Sequence, residues 1–275
     1  MPSITKTLMC GLAAISAIQA IPHPVNNNPT TPGPVVAAPS ATNSPPAVAP
    51  MDNTNLIKDL LTAPTAIKRF QRLLTAAGQK LLSADDLKKL VVFDFNGATP
   101  ATGAKGGATK AANIESFPIL TDLGISTTLA FLEPCGMNTP HIHPRATEFL
   151  TVVEGIVDFG YILENGLVKA GENAEISGRL EKYQGTVFPM GSVHYQVNPT
   201  CNKAVFVATL NSEDPGTSQI AQNFFGLNSD VVNATLGFPQ SLDGKDIDAF
   251  RKQIPANLAL GIDKCLQACN IKPNQ

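Results

Sequence analysis

Short runs of Val, Ile, Phe, Tyr and Thr, separated by Gly, Asn and Pro, occupy the chain from about residue 125 to residue 210. The runs that we predict to be strands are STTLAFLEP, EFLTVVEGIVDFGYIL, GLVKAG, AEISGRL, GTVFPMGSVHYQVN and KAVFVATLN. Many short strands at this spacing are typical of an all-β sandwich or barrel. We therefore predict a mainly β domain over residues 91–212, which begins with the strand-like VVFDF (91–95) and a long Gly- and Ala-rich loop (96–113).

Apolar residues recur at helical spacing on both sides of this domain. In the predicted N-terminal helical segment, residues 51–90, they are Ile67, Phe70, Leu74, Leu87 and Leu90. In the predicted C-terminal extension, residues 213–275, they are Leu258, Ile262, Cys265, Leu266 and Cys269. Ser83 followed by Asp86 is typical of a helix-capping box. The predicted order is helix, β-barrel, helix.

The amino-terminal fifty residues differ in composition from the rest. Residues 1–20, MPSITKTLMCGLAAISAIQA, place Lys6 before an apolar run and end in small residues, as in a secretory signal peptide. That run is shorter than the roughly 20 apolar residues needed to cross a bilayer. Residues 21–50 are rich in Pro, Ala, Asn and Ser and contain no Asp, Glu, Lys or Arg, which favours a disordered linker. We therefore expect a secreted, extracellular protein with no membrane partner.

Composition and cysteine count support this picture. The formal net charge is −2, from 20 Lys and Arg against 22 Asp and Glu, so there is no basic field to attract nucleic acid. Four cysteines lie outside the predicted signal peptide, an even number that predicts disulfides in an oxidising compartment: Cys135, Cys201, Cys265 and Cys269. Asn233-Ala234-Thr235 is a candidate N-glycosylation site for the same compartment.

Two of the four histidines lie in the stretch PHIHPRATE, residues 140–148. In a strand, His141 and His143 would project from one face, because residues two apart share a face. Glu148 is five positions beyond His143 and would face away on an unbroken strand. Pro144 favours a turn, after which the chain can return antiparallel and bring Glu148 beside the histidines. His194 lies in another predicted strand and shares its face with Gln196.

These residues carry a resemblance to the cupins, specifically to germin-like proteins of the spherulin type, over about residues 93–211. The first signature motif is matched by Gly136, His141, His143, Glu148 and Gly155, and the second by Pro189, Gly191, His194 and Asn198. One departure is Tyr183, which stands where the family has a glycine and puts the turn before the following strand in doubt. The resemblance implies a β-jelly-roll barrel that holds a metal with His141, His143, Glu148 and His194 and leaves coordination positions open for substrate.

The identity of the ion does not follow from the ligands alone. Imidazole suits Zn, Cu, Fe and Ni, whereas a carboxylate suits Mn. The resemblance implies Mn, with Zn or Fe as the alternatives, and a closed zinc site would stabilise the barrel without redox chemistry. It also places Asn138 at a candidate substrate-binding position, although Asn is a common turn residue as well. We expect Arg145, within the turn, to face solvent or form an ion pair.

The register of two strands leads to a disulfide prediction. Cys135 precedes His141 by six residues, and Cys201 follows His194 by seven. If the two histidines face each other on antiparallel strands, the cysteines come within one residue of the same register. We therefore predict a Cys135–Cys201 disulfide, which leaves Cys265 and Cys269 to pair with each other.

The resemblance leaves two classes of function open. One is a Mn-dependent oxidoreductase, either a superoxide dismutase or an oxalate oxidase, whose partner is superoxide or a dicarboxylate. The other is a non-catalytic extracellular or cell-wall-associated protein whose metal supports the fold and which binds carbohydrate. Germin-like proteins also assemble through terminal helices, so we expect a homo-oligomer.

Overall fold

The computed structural model describes residues 53–239, 244–255 and 257–272. The predicted signal peptide and linker lie outside these residues. The described helices are α1 (Thr54–Leu61), α2 (Ala66–Leu74), α3 (Ala84–Val91), α4 (Ile220–Gly226), α5 (Ser229–Thr235), α6 (Gly244–Arg251) and α7 (Asp263–Ala268), with a 3₁₀ turn at Pro118–Leu120. None of the described helices is long and apolar enough to span a membrane.

The strands build two antiparallel sheets and one small hairpin. The strands are β1 (Thr75–Ala76), β2 (Lys80–Leu81), β3 (Gly107–Ala112), β4 (Ser126–Leu132), β5 (Gly136–Ile142), β6 (Glu148–Glu154), β7 (Val157–Ile162), β8 (Ile176–Leu180), β9 (Gly185–Phe188), β10 (Val193–Val197), β11 (Ala204–Leu210), β12 (Ser218–Gln219) and β13 (Ala259–Leu260). One sheet has the order β12-β5-β10-β7-β8, with β13 also paired to β5. The other has the order β3-β4-β11-β6-β9. The prediction of a mainly β fold with flanking helices is confirmed.

The hydrophobic core lies between the inner faces of the two sheets. Alternation along β11 shows how the sequence produces it: Phe206 and Ala208 are buried, whereas Val205 and Val207 on the other face are partly exposed. The same cluster of buried residues includes Ala130, Leu132, Leu150, Val152, Val157, Leu180, Phe188 and Leu210. This packing fixes the two sheets relative to each other, and the candidate metal centre lies between them.

The N-terminal segment, predicted to be helical, forms the three helices α1, α2 and α3. The capping box is confirmed, because the Ser83 hydroxyl accepts a hydrogen bond from the Asp86 amide at 3.2 Å. The predicted apolar face of α2 is wrong in part: Ile67 is 63% exposed, while Leu73 and the aliphatic part of Arg69 are buried. The guanidinium of Arg69 contacts the Asp122 carboxylate at 2.7 Å, which explains how a charged residue is accommodated there.

Two predicted strands and one predicted loop are wrong. Residues 92–95 pair with no strand of the described residues, and Phe93 packs instead on Phe117, with ring centroids 5.4 Å apart. Residues 166–171 belong to the loop between β7 and β8, where Leu167 and Val168 are exposed. Conversely, β3 lies within the predicted Gly- and Ala-rich loop and pairs along its length with β4. In each case the availability of a neighbouring strand for hydrogen bonding decides whether the segment becomes a strand, and this overrides its local strand propensity.

The predicted disulfide pairing is wrong. The structure joins Cys135 to Cys265 and Cys201 to Cys269, with Cα–Cα distances of 5.8 and 5.4 Å. His194 does lie opposite His141, as the predicted register requires, but a bulge between His194 and Gln196 shifts the pairing beyond them. Cys265 lies in α7 and Cys269 directly follows this helix, and each bonds a cysteine of the β domain rather than the other.

The C-terminal extension is not the continuous helical stripe that the sequence predicts. Leu258 adopts a left-handed backbone conformation, with φ of 60°, and β13 then pairs with the beginning of β5. Of the five apolar residues at helical spacing, only Cys265 and Leu266 lie within α7, which is six residues long. Because β12 and β13 both join the sheet that contains β5, the extension is part of the barrel wall.

Candidate metal centre

Two sheets contribute to a single group of metal-binding side chains. His141 lies near the end of β5 and His143 immediately after it, while His194 lies opposite His141 on β10. Glu148 is the first residue of β6, in the other sheet. The chain does return after Pro144, but β6 does not pair with β5 as an antiparallel neighbour. The ligand atoms of all four residues lie within 4.8 Å of one another, and all four residues are buried.

Each histidine ring is held by a backbone carbonyl. The Nδ1 atoms of His141 and His194 lie 2.8 and 2.9 Å from the carbonyl oxygens of Thr139 and Ser192. The Nδ1 of His143 lies 2.6 Å from the carbonyl oxygen of Gly216. A carbonyl can only accept, so each Nδ1 carries a proton, and in the neutral form of each ring the lone pair is on Nε2. This is the tautomer that binds a metal through Nε2, with the carbonyl fixing the ring orientation.

The remaining atoms fit a divalent cation. Glu148 Oε2 lies 3.0 Å from His143 Nε2 and 3.5 Å from His194 Nε2. The other carboxylate oxygen, Oε1, and the Nε2 of His194 are buried and have no hydrogen-bond partner among the described residues. Unpaired buried polar atoms are costly, and a shared cation would satisfy both. Three imidazole nitrogens and one carboxylate oxygen are a donor set suited to a first-row transition metal.

The charge states also suit metal binding. Burial, together with the nearby His194, lowers the pKa of His141 from 6.5 to about 3, so this ring is neutral at physiological pH. Burial alone would raise the pKa of Glu148, but the contacts with His143 and His194 outweigh it and lower the pKa to about 2. Burial likewise opposes the charged form of His143, yet the Glu148 carboxylate raises the pKa of this ring above its ordinary value. A carboxylate anion therefore faces imidazole rings in the metal-free protein.

A cavity of about 160 Å³ opens beside these ligands. Its apolar wall comes from the inner faces of β3, β4 and β11, including Ala130, Phe206 and Ala208. Its polar residues include Asn138, Thr217 and Asn257. The Asn138 side chain is buried and donates from Nδ2 to Gln196 Oε1 at 2.7 Å, while its Oδ1 has no partner in the part of the chain that the structure describes. Asn138 thus lines the cavity, and its proposed role toward a substrate stays a prediction.

The structure also places the other residues singled out from the sequence. Arg145 lies in the turn after His143, and its side chain forms an ion pair with Asp214 at 2.7 Å, as expected. Tyr183 takes a φ of 69° and donates its amide to the Val152 carbonyl, so the turn forms without the family glycine. Its side chain is 75% exposed, which avoids a steric conflict. Asn233 lies within α5 with its Oδ1 buried, and glycosylation there stays a prediction.

Three contributors to the site were missed from the sequence: the carbonyl of Gly216, the Thr217 hydroxyl and Asn257. Each comes from the C-terminal extension, more than 70 residues after His143 along the chain. Phe188 was also missed, although its ring stacks on His194 with centroids 4.4 Å apart. Alternation along β9 could have placed Phe188 on the inner face, whereas no local signal marks the other three.

Comparison with known proteins agrees with this geometry. The family model described as Cupin matches residues 93–244. The chain belongs to the cupin family. This cupin is 35% identical to spherulin-1A of Physarum polycephalum over 215 residues, which cover 78% of each chain. It is 38% identical to germin-like protein 12-2 of Oryza sativa subsp. japonica over 158 residues, covering 57% of this chain and 68% of the relative.

A solved structure shares the fold of this cupin at low sequence identity. Procruciferin, an 11S globulin from Brassica napus, aligns with a TM-score of 0.51 and 15% identity, covering 61% of this chain and 40% of procruciferin. The resemblance to spherulins and germin-like proteins, expected from the two histidine motifs, is therefore confirmed for family and fold.

Proposed function

We propose that this cupin is a secreted, manganese-dependent oxidoreductase that acts on a small oxygen-containing anion, either oxalate or superoxide. In this proposal His141, His143, Glu148 and His194 hold the ion. The observation that supports it is the convergence of three Nε2 atoms and one carboxylate beside a cavity. A closed structural site would have no such space on one side. A manganese ion bound there would supply one-electron redox chemistry.

In the proposed reaction, the protein holds the metal-binding side chains in position. The carbonyls of Thr139, Ser192 and Gly216 hold the three rings, so no ring has to reorient when substrate enters. Glu148 is buried and anionic, which offsets one positive charge of a divalent ion. The apolar wall of the cavity limits the access of water to the reacting atoms.

A metal that only supports the fold is the competing function, with carbohydrate as a ligand of the exterior. One observation favours it: no Lys or Arg side chain from the described residues lines the cavity, so a dicarboxylate would depend on the ion for charge compensation. Superoxide, with a single negative charge, is less affected by this absence.

Metal analysis combined with two assays tests the proposal. Purified protein is expected to contain one equivalent of Mn and to turn over oxalate or superoxide, and His141→Ala is expected to lose both metal and turnover. Full Mn loading without turnover of either substrate would support the structural function. Tightly bound Zn in the native protein would contradict the redox proposal. Glycan titration of the loaded protein addresses carbohydrate binding separately.

Secretion is supported by the cysteines. All four cysteines of the described residues are in disulfides, and disulfides persist in oxidising compartments. We propose that residues 1–20 are removed on export, and that the protein is extracellular or cell-wall-associated. Mass spectrometry of the amino terminus in the culture medium tests both statements, since an intracellular protein that begins at Met1 would contradict them.

We also propose a homo-oligomer. Phe149 on β6 and Val187 on β9 pair on the outer face of the five-stranded sheet and are 55% and 42% exposed. Exposed neighbouring apolar side chains on a sheet are typical of association surfaces. Light scattering is expected to give a multiple of the monomer mass, and a monomeric mass at micromolar concentration would contradict the proposal.

A further inference from the structure

The C-terminal extension contributes one side chain to the cavity beside the metal ligands. Asn257 lines this cavity together with Asn138 and Thr217. No Lys or Arg side chain of the described residues does so, which leaves amide and hydroxyl groups as the polar contacts for a ligand beyond the metal-binding side chains themselves. A role for Asn257 in binding rests on the proposed function, because that function makes this cavity a ligand site.

The hydrogen bonds of Asn257 determine which end of its amide is available. Its side-chain oxygen lies 2.9 Å from the Leu258 amide nitrogen and 3.3 Å from the Thr139 amide nitrogen. Both backbone groups are donors only, so the atom that they contact must be Oδ1. Nδ2 makes no hydrogen bond in the described part of the chain. The free group of Asn257 is therefore a donor.

The backbone around Asn257 is held in place on the side that leads to β13. Leu258 is only 3% exposed and lies in the hydrophobic core, although its φ of 60° is unfavourable for a branched residue. Its carbonyl accepts a hydrogen bond from the Gly106 amide. A non-glycine residue in this conformation persists only where its surroundings hold it, and such positions cluster at ligand sites.

The next residues fix this segment to the strand that carries His141. Ala259 and Leu260 pair with Met137 and Gly136 of β5, and the Gly261 amide donates to the Cys135 carbonyl at 2.6 Å. A side chain at Gly106 would collide with the Ala259 carbonyl oxygen, so close packing of this segment requires glycine there.

Two disulfides complete the attachment. Cys265–Cys135 and Cys269–Cys201 bond α7 to the same end of the barrel. The distance between Asn257 and the metal ligands is thus set by the fold rather than by a loop that reorders when ligand binds. A pre-positioned donor loses little conformational entropy on binding.

We propose that Asn257 is a ligand-binding residue of the metal pocket, whose Nδ2 donates to an oxygen of a small carboxylate. The size of the cavity limits the ligand, because about 160 Å³ is well below the roughly 300–1,000 Å³ of pockets for drug-sized molecules. The side-chain amides of Asn138 and Asn257 are neutral. They suit hydrogen bonding to the part of the ligand that the metal ion does not contact.

Asn257→Asp is the decisive variant. An aspartate retains an oxygen acceptor for the amides of Leu258 and Thr139, but it replaces the NH₂ donor with a second, negatively charged oxygen. Calorimetric titration of Mn-loaded protein with oxalate and with acetate is expected to show binding at least about tenfold weaker than in the unsubstituted protein. Metal content and the unfolding midpoint are expected to remain unchanged.

A matched control variant and a second test variant accompany Asn257→Asp. Asn165→Asp adds the same charge on an exposed loop and is expected to leave carboxylate affinity unchanged. Asn257→Ala removes the donor without adding charge and is expected to weaken binding by roughly tenfold.

Unchanged carboxylate affinity in Asn257→Asp would overturn the inference and leave the proposed function intact. Loss of metal from both Asn257 variants would also overturn it, because Asn257 would then support the fold only. Failure of the unsubstituted protein to bind Mn would instead refute the proposed function, and this inference with it.

Discussion

His141 and His194 face each other across β5 and β10, with ring centroids 4.2 Å apart, and each donates its Nδ1 proton to a carbonyl two residues earlier. Neither ring can turn without breaking that hydrogen bond. Their Nε2 atoms are therefore directed to one point, which Glu148 approaches from the opposite sheet. Metal binding and stability should both depend on this arrangement.

Removing the carboxylate should abolish tight metal binding. Glu148→Gln keeps the shape of the side chain but removes the negative charge, so we expect Mn affinity to fall by more than the 10- to 100-fold typical for loss of an outer-shell partner. Glu154→Gln, at the exposed end of the same strand, is the matched control and should retain full metal content. Elemental analysis after dialysis measures both. Equal Mn content in the two variants would show that Glu148 is not a ligand.

The metal-free protein should become less stable on mild acidification. The pKa of His141 is lowered from 6.5 to about 3, so the fold favours the neutral ring. The contribution of the neutral His141 ring to the free energy of unfolding is complete above about pH 6.5. This contribution is lost as the pH falls from 6.5 towards 3, by at most about 1.4 kcal/mol per pH unit. Glu148 adds a loss in the same direction only below its ordinary pKa of 4.5.

A non-titrating side chain isolates this effect. His141→Gln cannot gain the proton, so its unfolding free energy should depend less on pH between 6.5 and 4.5 than that of the unsubstituted protein. The raised pKa of His143 does not alter the direction of this pH dependence between pH 6.5 and 4.5. The stabilisation that comes from protonated His143 is already complete below pH 6.5. Urea titrations at several pH values in the presence of chelator give the comparison. Parallel pH profiles would contradict the assignment to His141.

Loss of the Cys135–Cys265 disulfide should destabilise the barrel markedly. It closes a separation of 130 residues, for which chain entropy predicts a stabilisation of about 2–5 kcal/mol. The double variant Cys135→Ser, Cys265→Ser is expected to lose this amount in urea unfolding, whereas Gln267→Ser on the exposed side of α7 should change little. Non-reducing peptide mapping checks the pairing directly, and a Cys135–Cys201 peptide would contradict it.

The two faces of β6 should respond differently to truncation. Leu150 is fully buried between the sheets, so Leu150→Ala is expected to cost about 2–5 kcal/mol of unfolding free energy. Phe149, its neighbour, is 55% exposed, and Phe149→Ala should cost well under half of that in the monomer. The same Phe149 variant should lower the association state if the outer face mediates oligomerisation. Comparable losses for both variants in dilute monomer would contradict the assigned faces.

Some features were determined by the sequence because they depend on neighbours along the chain. The alternation in β11, the capping box at Ser83 and the shared face of His141 and His143 are local, and period-two or helical spacing predicts them. The histidine motifs also identify the cupin family, and the spacing with Pro144 correctly predicts that Glu148 returns to the histidines.

Other features were decided only by the tertiary structure, because they join residues far apart in the chain. Glu148 approaches from the second sheet, and the cysteines of α7 bond to the barrel rather than to each other. The strand β3 forms from Gly and Ala because β4 offers it a hydrogen-bonding edge. Asn257 lines the cavity, and its neighbour Leu258 is buried in the core. Each of these depends on which surfaces pack together, and no periodicity within a single segment contains that information.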